Sequence, residues 1–212
     1  MINAPALLSI GLSSFAAGWI ASRIGSYRKV DPFLYEKFIF PSEYLHGRLL
    51  DIGSGRGADV ELMRALAGVV HVQPLDIVDR AKSKDVQPVL FDGKTIPYGR
   101  GEFDASTLFF VLHHSADARA LILEALRVSG VCIIGEDLPE TPIDQLLCAA
   151  HLATSGWARG NQFRTDAKWL QLFHQLGLRV LDSMYIGRSR YYSYPVRRAF
   201  YVVAAAGVAA HT

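Results

Sequence analysis

The most constraining feature of the sequence is a short apolar run that ends in a carboxylate and then turns on three closely spaced glycines. Residues 49–57 read LLDIGSGRG. Gly53, Gly55 and Gly57 have no Cβ, so the chain can adopt positive φ there and approach a ligand closely. Apolar residues then recur at helical spacing between residues 58 and 66. The pattern predicts a strand, a ligand-binding turn and a helix whose N-terminus faces a carboxylate or phosphate.

Two further apolar runs also end at acidic residues. The run from Val69 to Leu75 ends at Asp76, and the run from Val86 to Phe91 ends at Asp92. Asp76 lies at roughly the distance past the glycines at which a carboxylate binds the hydroxyls of a ribose. These runs predict a second and a third strand, each with a carboxylate at its end.

The glycine pattern by itself leaves alternatives open. Gly53, Gly55 and Ala58 also satisfy the dinucleotide pattern G-x-G-x-x-G/A. A nicotinamide nucleotide is therefore one candidate ligand, and a glycine-rich turn without any ligand is another. The nicotinamide alternative lacks one expected signal, because no tyrosine of the chain is followed four residues later by a lysine.

The next two apolar runs lead to polar residues as well. The fourth run, from Ala105 to Leu112, leads into His113 and His114, and the fifth, Val128 to Gly135, leads into Glu136 and Asp137. Because ligands bind at the carboxyl edge of open α/β sheets, we expect these side chains at the same edge as the glycine turn. His113 and Asp137 are the candidates for a general base, although a purely structural role is the alternative for both.

This succession resembles the class I S-adenosylmethionine (SAM)-dependent methyltransferases, in particular the branch that acts on small molecules. Sequences of that branch read D-x-G-x-G-x-G, then an acidic strand end, then D-x-x-x-(I/L)-P-(Y/F), then F-D and V-L-H-H. The matching segments here are Asp51 to Gly57, Asp76, Asp92 to Tyr98, Phe103-Asp104 and Val111 to His114. The resemblance covers about residues 45–137, and a weaker similarity continues over residues 163–178.

The resemblance implies that SAM is the cofactor and assigns a set of residues to it: Asp51, Gly53, Gly55, Gly57, Asp76, Asp92 and Gly93. Asp51 and the glycines of the turn would hold the methionine end, and Asp76 the ribose hydroxyls. Asp92 would accept from the adenine amino group beside the backbone of Gly93. A carboxylate suits the ribose, since each charge-assisted bond to the diol is worth roughly 1.5 to 3 kcal/mol. The alternative is that these carboxylates only cap neighbouring backbone.

The order of the elements predicts the fold. Strands alternate with helical segments, which favours an α/β fold with a parallel sheet and helices on both faces. The resemblance makes this a Rossmann-like, doubly wound, mostly parallel seven-stranded sheet, with residues 178–186 and 198–206 as its last two strands. A chain of 212 residues, 50% hydrophobic, suits one substantial core, so residues 31–212 are expected to form one domain.

The N-terminal segment, residues 1–30, is set apart by its composition. Residues 2–22 contain no charged side chain, and Arg23, Arg28 and Lys29 follow. Such a run is long enough to cross a bilayer, but prolines, glycines and serines dilute its apolarity. The three alternatives are a membrane anchor facing the cytoplasm, a helix packed on the domain or on a partner, and a cleaved signal.

Charge and cysteine content restrict the remaining function classes. A net charge of +2 gives no general case for nucleic acid as partner. Cys132 and Cys148 form no C-x-x-C motif, and no paired histidine spacing for zinc is present. We therefore expect a reducing, cytoplasmic environment and no metal site. The oligomeric state is not predictable from these features.

The expected methyl acceptor is a small hydrophobic or aromatic molecule. No Asn-Pro-Pro-Tyr or Asp-Pro-Pro-Tyr motif, typical of nucleobase amino methyltransferases, follows the fourth run. Phe109 and Phe110 stand there instead and favour an apolar pocket. Residues 188–198 interleave arginines with tyrosines, as in a solvated hairpin, a loop contacting an anionic surface or an RNA-stacking segment. A methyltransferase-like interaction module without catalysis is the alternative from another function class.

Overall fold

The computed structural model describes residues 41–155, 163–187 and 195–206. The expectations for residues 1–30 and for the tyrosine-rich part of residues 188–198 fall outside the described residues. The strands are β1 (Gly47–Ile52), β2 (Val69–Asp76), β3 (Val89–Leu90), β4 (Phe103–Phe109), β5 (Ser129–Leu138), β6 (Leu178–Ile186) and β7 (Arg197–Ala205). The helices are α1 (Ala58–Met63), α2 (Ala118–Val128), α3 (Pro142–Ser155) and α4 (Asp166–Gln175), with short 3-10 turns at Lys84–Val86 and Leu112–His114.

The strands form a single seven-stranded sheet in the order β3-β2-β1-β4-β5-β7-β6. All neighbouring strands pair in parallel except β7, which is antiparallel to both β5 and β6. This confirms the Rossmann-like, mostly parallel fold. The strand order reverses between β1 and β4, and a crevice at the carboxyl ends of the strands is expected at such a switch point.

The core lies on both faces of the sheet because alternate residues of each strand point to opposite sides. Leu50 packs in a cluster with residues of α2 and α4, including Ile122 and Trp169. Its neighbour Leu49 packs in the second cluster, which contains Val60 and Met63 of α1. The clusters fix the sheet between its helices and leave the carboxyl edge to polar residues.

Three strands differ from the sequence-based prediction by more than two residues at one end. β3 has two residues instead of the predicted six, because Pro88 cannot donate to a strand ladder and the buried Val86 lies in a 3-10 turn. β4 stops at Phe109 because Phe110 has a φ of 60°. β5 continues to Leu138, since antiparallel pairing with β7 extends it past Gly135. Glu136 and Asp137 therefore lie within β5 and not after it.

Within residues 41–155, 163–187 and 195–206, no helix has the length and apolarity needed to cross a bilayer.

Candidate functional site

The glycine turn after β1 has the predicted backbone conformation. Gly53, Gly55 and Gly57 have φ values of 77°, 56° and 82°, all in the left-handed region. A Cβ at Gly53 would overlap the side chain of Val111, and a Cβ at Gly57 would overlap that of Val86. At Gly55 the nearest atom to such a Cβ would be the Gly53 carbonyl oxygen, at 3.9 Å. Packing therefore requires glycine at positions 53 and 57, whereas Gly55 faces open space that a ligand can fill.

Most N–H groups of the turn already have acceptors within the protein. The N–H groups of Gly53 and Ser54 donate to the carbonyl of Leu75, at 2.7 and 3.2 Å, and that of Gly55 donates to Asp76 Oδ2 at 2.8 Å. The helix that follows is only six residues long and has Asp59 and Glu61 in its first turn. These carboxylates disfavour an anion at the helix N-terminus, where the sequence predicted a carboxylate or phosphate.

Asp76 and Asp51 lie at the carboxyl edge, where the sequence predicted them. Asp76 is 3% exposed, and its Oδ1 accepts from the N–H groups of Ile77 and Val78 at 2.7 and 3.3 Å. Its Oδ2 lies 3.8 Å from Arg80 Nη2. Asp51 is 2% exposed, and its Oδ1 accepts from the Thr107 hydroxyl at 2.6 Å. Both carboxylates therefore also accept hydrogen bonds from the protein itself, as in the alternative in which they only cap neighbouring groups.

Asp92 and Gly93 form a more open part of the edge after β3. Asp92 is exposed, and its Oδ1 accepts from the N–H groups of Lys94 and Thr95, each at 2.8 Å. These backbone bonds lower the pKa of Asp92. Gly93 has a φ of 77°, and a Cβ there would come within 3.2 Å of Ile77 Cγ2. Ile77 is 49% exposed and provides an apolar surface beside Gly93 that the sequence analysis missed.

The second group of polar residues surrounds the 3-10 turn that follows β4. Glu136 is fully buried and contacts this turn with both oxygens. Its Oε1 accepts from the Leu112 N–H at 2.8 Å, and its Oε2 lies 2.7 Å from His113 Nδ1. Burial by itself would lower the pKa of His113, but the charge and hydrogen bond of Glu136 raise that pKa above its ordinary value. Glu136 therefore fixes the orientation of the His113 ring.

Three other rings surround His113. The centroid of its ring lies 4.0 Å from that of His114 and 5.7 Å from that of His151, which comes from α3. Phe163 stacks on His113 with centroids 4.3 Å apart and an interplanar angle of 15°. Burial, with the charges of neighbouring basic groups, lowers the pKa of His114 to about 4. Burial and His113 also lower the pKa of His151. No sequence motif had assigned a role to His151.

Asp137 is placed differently from His113. Its side chain is 5% exposed, and its Oδ1 accepts from Arg198 Nε of β7 at 2.8 Å. Burial raises the pKa of Asp137, although Arg198 opposes that shift. Because neighbouring residues of a strand point to opposite faces, Glu136 and not Asp137 faces His113. This geometry favours Glu136 as the carboxylate of the site.

The two phenylalanines expected to line an apolar pocket pack largely on the protein itself. Phe109 is 7% exposed, and its ring contacts that of Phe200 edge to face, with centroids 5.9 Å apart. Phe110 approaches the same ring, with centroids 6.0 Å apart. Phe163 and the histidines are therefore the aromatic side chains at the edge after β4.

Comparison with known proteins identifies the family. The sequence model of the methyltransferase domain family matches residues 26–183. No curated protein sequence matches the chain. A SAM-dependent methyltransferase from Thermotoga maritima is 13% identical, with a TM-score of 0.63 over 88% of this chain and 95% of that chain. A SAM-dependent methyltransferase from Methanosarcina mazei is 13% identical, with a TM-score of 0.57 over 84% of this chain and 98% of that chain.

A third solved structure shares the fold but is named for a different activity. The [4+2]-cyclase SpnF is 16% identical, with a TM-score of 0.61 over 82% of this chain and 80% of that chain. At such identities, these likenesses establish the fold, whereas the family match covers most of the chain and establishes membership. The chain belongs to the methyltransferase domain family and is an enzyme of the class I fold that uses SAM as its cofactor.

Proposed function

We propose that the protein transfers the methyl group of SAM to a small hydrophobic or aromatic molecule, at an oxygen, nitrogen or carbon atom. One observation carries the proposal: Val111 joins the glycine turn to the histidines. Its side chain packs against Gly53, and its carbonyl accepts from the His114 N–H at 3.0 Å. A group held at the turn is therefore next to imidazole rings and Phe163, which suit an aromatic or hydrophobic acceptor.

The residues of the turn and of the two strand ends fit SAM. Gly55 offers the open space for the methionine end, in the turn that follows Asp51. Asp76 would accept from the ribose hydroxyls. Its Oδ2, which now accepts from the Gly55 N–H, would then either accept from both donors or give up the bond with Gly55. Asp92 has Oδ1 occupied by backbone donors, and its Oδ2 would accept from the adenine amino group. The exposed side chain of Ile77 and the backbone of Gly93 would flank the adenine ring.

The chemistry follows from positioning. SAM supplies an electrophilic methyl carbon on a sulfonium whose leaving group is a neutral thioether. The protein aligns the acceptor atom in line with that carbon, and such proximity contributes roughly 7 to 11 kcal/mol. Where the acceptor arrives protonated, Nε2 of His113 would take its proton, because Glu136 holds the Nδ1–H side of the ring.

Ligand binding tests the cofactor assignment directly. Calorimetric titration should show binding of SAM and of its demethylated product, and much weaker binding of NAD. Tight binding of NAD with none of SAM would favour the nicotinamide-dependent oxidoreductase that the glycine pattern also allows. Binding of SAM without methyl transfer to any extract component would favour the interaction-module alternative.

The acceptor class is tested with radiolabelled SAM. Cell extract and purified enzyme are incubated with methyl-labelled SAM, and the label is followed into solvent-extractable, nucleic acid and protein fractions. We expect label in the solvent-extractable fraction, since the charge of +2 and the missing nucleobase motif disfavour nucleic acid. Label confined to the nucleic acid fraction would overturn the small-molecule acceptor.

A membrane surface is a further proposed partner, and it rests on the sequence alone. Large apolar side chains in residues 2–22 would each gain roughly 1.5 to 3 kcal/mol on burial in a lipid interface. Removing residues 1–24 should abolish flotation with anionic liposomes while SAM binding is kept. Aggregation or a lowered melting temperature of the truncated protein would instead indicate a helix that packs on the domain.

A further inference from the structure

We propose that His113, His114 and His151 form a binding site for one divalent transition-metal ion of the zinc class, beside the methyl-transfer site. This proposal departs from the sequence-based expectation of no metal site. The spacing of these histidines along the chain gives no zinc motif, because His151 reaches the other two only through the packing of α3.

The nitrogen atoms of the three side chains lie close enough for a shared ion. One ring nitrogen of each residue lies within 4.8 Å of those of the other two. In a tetrahedral zinc site with Zn–N bonds of about 2.0 to 2.1 Å, ligand nitrogens are about 3.3 Å apart. Small rotations of the half-buried His114 and His151 rings would close that difference, while His113 stays fixed.

His113 is preorganised as a ligand by Glu136. With the proton on Nδ1 donated to Glu136 Oε2, the lone pair of the neutral ring is on Nε2. In the described part of the chain, this Nε2 is buried and has no hydrogen-bond partner. Phe163 stacks on the ring face and so leaves the in-plane lone pair accessible. A histidine that donates its other nitrogen to a buried carboxylate is the usual arrangement at protein metal sites.

His151 is presented by a helix that is tied to the sheet. Asp144, Cys148 and His151 recur at helical spacing on one face of α3. Asp144 is fully buried and forms an ion pair with Arg197 of β7, and Cys148 is 2% exposed. The face that carries His151 is therefore held against the domain, which limits how far this ligand can move from the other two.

Three protein ligands leave one position of a tetrahedral ion open, as in catalytic zinc sites. On the basis of the proposed methyl transfer, that position would take an oxygen or nitrogen atom of the acceptor. The acceptor class then narrows to molecules with an anionic or easily deprotonated donor atom on an apolar framework. With an ion bound, Nε2 of His113 is a ligand and does not accept a proton, so the two roles of His113 are mutually exclusive.

Cobalt binding tests the site without any measurement of activity. The tag-free, full-length protein is stripped of metal with a chelator and titrated with Co²⁺, whose tetrahedral complexes absorb in the visible range. We expect one equivalent to bind, and Zn²⁺ to bleach the absorption. An atomic-emission measurement gives the stoichiometry of zinc independently. No visible absorption and no retained zinc would overturn the proposal.

Two variants and a control locate the ion. His151→Ala should weaken Co²⁺ binding at least about 100-fold, and Glu136→Gln about 10- to 100-fold. His71→Ala, at an exposed residue of β2, should leave Co²⁺ binding unchanged. Retained SAM binding shows that each variant is folded. Unchanged Co²⁺ affinity in His151→Ala would overturn the site, even if methyl transfer is found. Co²⁺ binding by these residues without methyl transfer would overturn only the proposed function.

Discussion

Two parts of the same sheet edge are built in different ways. The cofactor half, which we define as the glycine turn with Asp76 and Asp92, is shaped by the backbone: positive φ angles, tight packing at Gly53 and Gly57, and N–H groups that bond to carboxylates. The histidine half, which we define as residues 112–114 with Glu136 and His151, is shaped by buried side chains. The cofactor half therefore suits a cofactor of fixed shape, whereas the histidine half sets the chemistry of the acceptor.

Separation along the chain does not explain this difference. The bond between Gly55 and Asp76 spans 21 residues, and that between His113 and Glu136 spans 23. A glycine-rich turn leaves a recognisable pattern because few residues tolerate its backbone angles. A buried carboxylate that orients an imidazole leaves no such pattern. The cofactor half is therefore readable from sequence motifs, whereas in the histidine half a motif covers only residues 112–114 and gives no sign of their contacts with Glu136 and His151.

The largest expected effect comes from filling the open space in the cofactor half. Gly55→Val adds a branched side chain where no atom lies nearer than 3.9 Å to a Cβ, and it strains a residue with a φ of 56°. We expect SAM affinity to fall by at least about 1,000-fold, or roughly 4 kcal/mol, because the side chain fills the ligand's space and the turn loses its backbone conformation. Calorimetry on the purified variant measures the loss.

Gly101→Val is the matched control for this change. Gly101 has a φ of 66° and no neighbour within 4 Å of a Cβ, and it precedes β4 at the opposite edge of the sheet. The same strain should lower its melting temperature without changing SAM affinity. Equal affinity losses in both variants would show that strain, and not the space at Gly55, governs binding.

The next effect concerns the histidine half and its catalytic role. His113→Ala removes the ring that Glu136 orients, and we expect kcat to fall by about 100-fold while the affinity for SAM is kept. His174→Ala, at an exposed residue of α4, is the control. Single-turnover kinetics with the identified acceptor measures both. A parallel loss of SAM affinity in His113→Ala would contradict the separation of the two halves.

The sequence predicted the fold more completely than the site. β2 and β6 have their expected bounds, and the positive φ angles of the glycine turn follow from the motif. The end of β4 was not predictable, since the left-handed Phe110 depends on a bond from its N–H to Gly135 and on packing against Phe200. Glu136 and His151 were assigned no ligand role, because strand pairing and helix packing bring them to His113.

A smaller effect is expected at Asp76, which bonds to the glycine turn and is proposed to bind the ribose. Asp76→Ala removes the predicted acceptor of the ribose hydroxyls and the acceptor of the Gly55 N–H. We expect SAM binding to weaken by about 2 kcal/mol. Asp79→Ala, at the exposed residue that caps the Ala81 N–H, is the control and should bind SAM normally. If Asp76→Ala binds SAM as tightly as the parent does, the ribose lies elsewhere.

The smallest effect is expected at the open end of the cofactor half. Asp92 is exposed, so a single bond from its carboxylate to the adenine amino group competes with water. Asp92→Ala should weaken the binding of S-adenosylhomocysteine by about fivefold. In the inosine analogue an oxygen replaces the amino group of the base. A hydrogen-bond acceptor would then face the Asp92 carboxylate in place of a donor. The parent protein should bind this analogue less tightly than the adenosine compound.

The combination of variant and analogue isolates that one contact. In Asp92→Ala the preference for adenosine over inosine should shrink, because the carboxylate that distinguishes donor from acceptor is gone. Asp92→Asn should reverse the preference, since its amide oxygen still accepts from the Lys94 and Thr95 N–H groups and its amide nitrogen then presents a donor to the base. An unchanged preference in Asp92→Ala would mean that Gly93 and Ile77 select the base through shape alone, and the cofactor half would then contain no side chain that recognises adenine by its amino group.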